Sequence, residues 1–183
     1  MMKNLGIGIV LAAVAIFFWG FLYWGMNPLP SGSWKQTKDD VAAGKALLEH
    51  FPESGTYYLP GTYNDEETWE KLHAAGPVAF IHLTSREGRP AQDWGVMIRG
   101  FLLYLVVVTL IALVLRKAAP TLPSYGDRVK FAALVGLAAA VMIDFGDVVW
   151  WYIPWEWKIH QAVYTVTTWT IAGLVLAKFV NPR

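Results

Sequence analysis

The 183-residue sequence has no cysteine and little charge. Without cysteine there are no disulfides, no thiolate metal sites, no iron–sulfur clusters and no thiol redox chemistry. Asp, Glu, Lys and Arg make up 16% of the chain, against roughly 25% in ordinary soluble domains. A net charge of +1 leaves no basic surplus for nucleic acid as a partner. Hydrolase and zincin signatures are missing too: GxSxG, SxxK, HxH, HxxxH and HExxH do not occur, and Gly6-Ile7-Gly8 lacks the context of a phosphate loop. There is no internal repeat and no low-complexity tract. The length allows one compact unit, or a membrane bundle with a small appended domain, and excludes a large multidomain enzyme.

What the chain has in plenty is apolar sequence, with 55% hydrophobic residues and a mean hydropathy of +0.37. A hydrocarbon core of ~30 Å needs ~20 helical residues. Four stretches meet that length, at 5–25, 94–115, 129–152 and 157–178. The first could be read as a secretory signal, but it runs on through Phe17, Phe18, Trp19 and Phe21 to Tyr23 and Trp24, which suits a full span with an aromatic belt.

Charge orients these spans. Lys3, Arg116, Lys117, Arg128, Lys130, Lys178 and Arg183 fall on one side with only Asp127, whereas residues 26–95 carry six basic and ten acidic residues. By the positive-inside rule both termini are cytoplasmic, and residues 26–93 face outward, into the periplasm of a cell with two membranes. The expected architecture is a mainly α membrane protein: a four-transmembrane-helix bundle with a small extracytoplasmic α+β insertion between spans 1 and 2. Its parts are a first transmembrane helix at 1–25, an α+β domain at 26–93 and three further transmembrane helices with short loops at 94–183.

Within the insertion, Asn27, Pro28, Pro30 and Gly32 form a turn, and Thr37 is the expected cap of a helix reaching Phe51. Residues 55–60 (GTYYLP) and 77–83 (PVAFIHL) look like strands. Between them Asn64 is the expected cap of a short helix, and residues 85–90 make a turn. So small a domain would be marginal alone.

Three charges away from the span ends ask for a reason, because each is expensive in hydrocarbon. Counted from span midpoints at ~1.5 Å per residue, Asp144 lies ~5 Å, Arg99 ~8 Å and Asp147 ~10 Å from the membrane centre, all on the outer side. The two carboxylates share a helix face, so Arg99 is expected to pair with one or both. With His160 and Tyr164 they would form an intramembrane polar cluster. One reading is an ion pair that fixes helix order. The other is a ligand or proton site that balances two Asp against one Arg.

His50, His73, His82 and Glu49 lack ligand spacing, so no metal is expected, and only His160 of the four histidines lies in a span, too few for bis-His haem. Trp19, Trp24, Trp150, Trp151, Trp155 and Trp157 make an aromatic rim at the outer ends of the spans, where indole N–H groups reach water. A ledge this dense could also hold a lipid or a quinone-like amphiphile, or another membrane subunit; no cofactor is otherwise expected. Small residues Ala132, Ala133, Gly136, Ala138, Ala139 and Ala140 permit close helix approach, within the chain or in a homo-oligomer.

Through FFWGFLYWG, FPESGTYYLPG, AAGPVAFIHL, REGRP and MIRGFLL the chain resembles a group of uncharacterised small bacterial four-span inner-membrane proteins. The resemblance covers most of the chain and implies four spans with one outer insertion, and no activity. Three functions stay open: a non-catalytic subunit or assembly factor of a larger inner-membrane complex, a small-molecule, proton or cation carrier built on the polar cluster, and, third, an enzyme acting on lipid.

Overall fold

Uninterrupted apolar runs become long helices, and the proline- and glycine-punctuated segment between the first two becomes a small mixed unit. The computed structural model describes residues 2–180, with side chains from Asn4 onward, so Arg183 and the side chain of Lys3 lie outside the described residues. The chain divides into two compact units, Gln36–Gln92 and the remainder. Residues 26–35 and Asp93, expected at the two ends of the insertion, group with the helical unit.

Helix α1 (Met2–Gly20) continues as a π-helical turn, Phe21–Met26, and Asn27 then caps the short α2 (Pro28–Gly32) by accepting from the Leu29 N–H at 3.1 Å. In the smaller unit follow α3 (Asp40–His50), β1 (Gly55–Leu59), α4 (Glu66–Ala75) and β2 (Ala79–Leu83). The strands pair antiparallel, with Gly55 opposite Leu83 and Tyr57 opposite Ile81. Two caps differ from the sequence expectation by one or two positions. Asp39 caps α3, taking the Val41 and Ala42 N–H groups, while Thr37 donates to Asp40. Asp65 caps α4 through the Thr68 N–H at 2.9 Å, while Asn64 donates to the Gly61 carbonyl. A carboxylate is a strong acceptor beside the positive end of a helix, which favours the acidic neighbour in both places. Among the described residues, Phe51 is the one large apolar side chain buried in this unit. It packs edge-on against Tyr57, and the Arg86 guanidinium ties the Leu48 and Phe51 carbonyls together.

The helical unit resumes with α5 (Trp94–Ala118), capped by Asp93 and closed by a 3₁₀ turn at Ala119–Thr121. A Ser124–Asp127 capping box starts α6 (Tyr125–Ala140). Its helix passes through a second π turn, Val141–Phe145, into α7 (Gly146–Trp151), and after left-handed Tyr152 (φ 54°) and Pro154 the chain returns as α8 (Trp155–Leu176).

The segments Asn4–Met26, Trp94–Thr121 and Tyr125–Trp151 are long and apolar enough to cross a membrane. Their outward faces carry large exposed apolar side chains, among them Phe18, Leu103, Leu110 and Leu134. The fourth expected span, α8, falls outside that group among the described residues, although it has 22 of them. Glu156, Lys158, His160, Gln161 and four threonines dilute its apolar character. Its place in the fold accounts for this, since α8 packs along both α6 and α1 while α1 packs on α5. A helix covered by its neighbours can carry polar groups that a lipid-facing helix cannot.

Close approach comes from missing side chains. A Cβ on Gly173 of α8 would lie 2.7 Å from the Ala132 Cβ, and one on Gly136 of α6 would strike Trp169. The core between α1, α5 and α8 is built from Ala12, Ile16, Val108, Leu115, Ala172 and Leu176. At the far end buried Arg128 donates to the carbonyls of Ala177, Leu122 and Pro123, pinning the start of α6 to the C-terminal end of α8.

Candidate functional site: a buried lysine between two aspartates

The expected Arg99 partnership is corrected by the structure. Arg99 sits in the second turn of α5, its side chain 72% exposed, and reaches back to Asp93 at 3.4 Å. Asp144 and Asp147 are paired instead with Lys158 of α8. Depth along a helix axis fixes height but not bearing, so a match in depth does not make Arg99 the partner of the two aspartates.

Lys158 Nζ lies 2.6 Å from Asp147 Oδ2 and 3.5 Å from Asp144 Oδ1. The lysine and Asp144 side chains are each 7% exposed, and Asp147 is 32% exposed. Thr165, two turns further along α8, donates its hydroxyl to Asp144 Oδ2 at 3.3 Å. Asp144 therefore has both oxygens engaged, one by charge and one by a hydroxyl. It stands in the π turn, while Asp147 is in the first turn of α7, so the two carboxylates straddle a local change of helix winding.

Lys158, Gln161, Thr165 and Thr168 recur at the spacing of one helical face. They form a polar stripe about 15 Å long on α8. Within it the Gln161 Oε1 and Thr168 Oγ1 atoms are buried without a hydrogen-bond partner. The stripe begins at the partly open Asp147 and ends deep in the helix packing. Chemically the centre offers one ammonium against two carboxylates, with spare acceptor capacity beside it.

His160 and Tyr164 lie elsewhere. Residues two apart on a helix point in different directions, and His160 faces α1, where its main-chain carbonyl accepts from the buried Tyr23 hydroxyl at 3.0 Å. Tyr164 meets the Tyr104 hydroxyl at 2.5 Å and packs against Tyr23 and Trp24 at ring separations of 5.4 and 5.2 Å. Trp19 donates from Nε1 to Thr167 at 3.0 Å. The single polar cluster expected from the sequence is thus two sites on different faces of α8: an ionic one toward the π turn, and an aromatic one toward α1 and α5.

The rim tryptophans also separate. Trp24 packs at a tilt against Trp157, which packs in the same way against Trp34, and Trp155 packs against Phe145. Trp150 is 76% exposed and Trp151 more than half exposed. In the smaller unit His82 bonds Thr56 and His73 bonds Tyr58, and among the described residues no three His, Asp or Glu side chains converge as metal ligands.

Sequence reasoning misses Lys158. The signal is present: it is a lysine one residue inside an expected span, three residues before Gln161 and four before Ala162, the spacing that marks the buried face. Its nearness to the helix start makes it read as an interfacial charge. Comparison with family models, curated proteins and solved structures gives no match, so a function for this chain rests on the geometry of its own residues.

Proposed function

We propose that the chain is a multi-pass membrane protein whose four long helices all cross the bilayer, and that the Lys158–Asp144–Asp147 centre binds and releases a proton. The carrying observation is the charge ratio: one sealed ammonium serves two carboxylates, one sealed with it and one partly open. One ammonium can neutralise only one of the two carboxylates, and the exposed edge of Asp147 leaves the second accessible from outside the helix packing. The π turn at Asp144 supports this reading, since such turns concentrate at functional positions. So does the free acceptor of Gln161 on the same face. The distribution of Lys and Arg supports an orientation with both termini cytoplasmic and residues 26–93 outside.

Infrared titration of the protein in bilayers tests the site. A protonated-carboxyl band should appear as pH falls and should be lost in Asp144→Asn or Asp147→Asn. If neither variant alters any titrating carboxyl band while the protein stays folded, the proton-site reading is wrong.

A second reading, a non-catalytic subunit or assembly factor of a larger membrane complex, draws support from the exposed aromatic end of α7, where Trp150 is 76% and Tyr152 88% exposed. Native mass spectrometry after mild extraction from the source membrane separates the two: a stoichiometric protein partner supports the subunit, and a lone chain with a titrating centre supports the proton site.

A further inference from the structure

A groove of about 460 Å³ lies between α5 and α6, lined by Leu113, Val114, Lys117, Ala118 and Phe131. It follows from how the helices share partners. α6 is docked on α8 and α5 on α1, so α5 and α6 touch only lightly despite the short link that joins them. Four of the five lining residues are apolar. The fifth, Lys117, is one turn beyond Leu113 on the same face of α5, so its ammonium stands at the helix end above an apolar wall.

We infer that this groove binds one anionic phospholipid, with an acyl chain against Leu113, Val114, Ala118 and Phe131 and its phosphate against Lys117. Charge complementarity selects the head group. Exposed Arg116 and Lys130 and buried Arg128 lie at the same end, and the nearby carboxylate, Asp127, is engaged by the Ser124 hydroxyl and N–H. A zwitterionic lipid would bring its own cation into this positive field. Extent selects a lipid over a protein helix. The α5 wall from Leu113 to Ala118 is about 7.5 Å long, far less than the ~30 Å seam of a packed transmembrane helix. The inference rests on the membrane placement of α5 and α6 and is independent of the Lys158 centre.

Native mass spectrometry of the full chain, incubated in detergent with equal amounts of phosphatidylglycerol and phosphatidylcholine, reads the selectivity. Wild type should retain phosphatidylglycerol preferentially, and Lys117→Gln should weaken that retention about fivefold, equivalent to about 1 kcal/mol per basic residue at an anionic surface. Arg116→Gln, outside the groove lining, should change it less. Ala118→Phe, which fills the groove, should reduce retention of both lipids. Equal retention of the two lipids by wild type, no retention of either, or equal losses in Lys117→Gln and Arg116→Gln would each overturn the site in favour of no site or a diffuse attraction to the basic end.

Discussion

Lys158 and Asp147 meet at 2.6 Å across the turn between α7 and α8, and the same ammonium reaches Asp144 at 3.5 Å. This contact closes the hairpin at its tip and sets the register of α8 against the π turn. Removing one member of a buried pair leaves an uncompensated charge, which costs about 3–5 kcal/mol, whereas removing charge from both sides costs much less. Lys158→Met should therefore be severely destabilising in thermal unfolding of the detergent-solubilised protein. Adding Asp144→Asn should restore at least half of the loss. Arg99→Gln, exposed and held only by Asp93, should stay within about 1 kcal/mol of wild type and add independently to Asp144→Asn. Coupling between Arg99 and Asp144 larger than about 0.5 kcal/mol would contradict the assignment of Lys158 as the partner of Asp144.

The seam between α6 and α8 predicts a second effect. Gly173 has no room for a methyl group beside Ala132, and Gly136 has none beside Trp169. Gly173→Ala and Gly136→Ala should each destabilise by about 1–3 kcal/mol through overpacking, despite alanine's better helix propensity. Gly6 and Gly100, with open space where a methyl group would stand, provide controls that should be neutral or stabilising. Equal behaviour of the four alanine variants in thermal melts would count against the close seam.

Acid sensitivity of the smaller unit should have a component from Asp65. The Thr68 N–H holds its carboxyl below the ordinary carboxylate pKa, so the folded pKa is lower than the unfolded one. Such a group stabilises above the unfolded pKa, near about 3.9, and that contribution is lost as pH falls through the folded value. Asp65→Asn should flatten the acid limb of stability against pH while leaving the neutral region nearly parallel. Backbone amide exchange at α4 measures this, and an acid limb unchanged by the substitution would show that Asp65 contributes nothing to it.

Much of this fold is readable from residue order. Three apolar runs without interior proline give the helices that suit a membrane, and GTYYLP and PVAFIHL give the two strands. Charge placement gives heights of side chains along the helices. It does not give their bearings, which is why Arg99 looks like the partner of Asp144 in the sequence, and why His160 and Tyr164 look like members of the ionic cluster. Bearings depend on which helices pack together, and α8, which carries the polar stripe, is central because α1 and α6 cover it. The caps at Asp39 and Asp65 differ from Thr37 and Asn64 because neighbouring polar residues compete for the same N–H groups, a contest decided by local geometry.

The π turn at Val141–Phe145 has a consequence for phase. Arg128, Ala132, Gly136, Ala140, Asp144 and Val148 are all buried, spaced strictly by four. At about 100° per residue a four-residue step in a regular α-helix advances the side chain by about 40°, so five such steps would carry the buried line about halfway round the helix. The extra residue of a π turn winds part of that drift back. The turn thus acts as a phase corrector, letting a seam of small residues and the two-carboxylate centre address the same neighbour from one continuous rod. Deleting outward-facing Ile143 would make the rod more regular and swing Asp147 away from Lys158 while the Ala132–Gly136 seam stayed docked, so the irregularity, rather than any one side chain, brings the ionic centre into being.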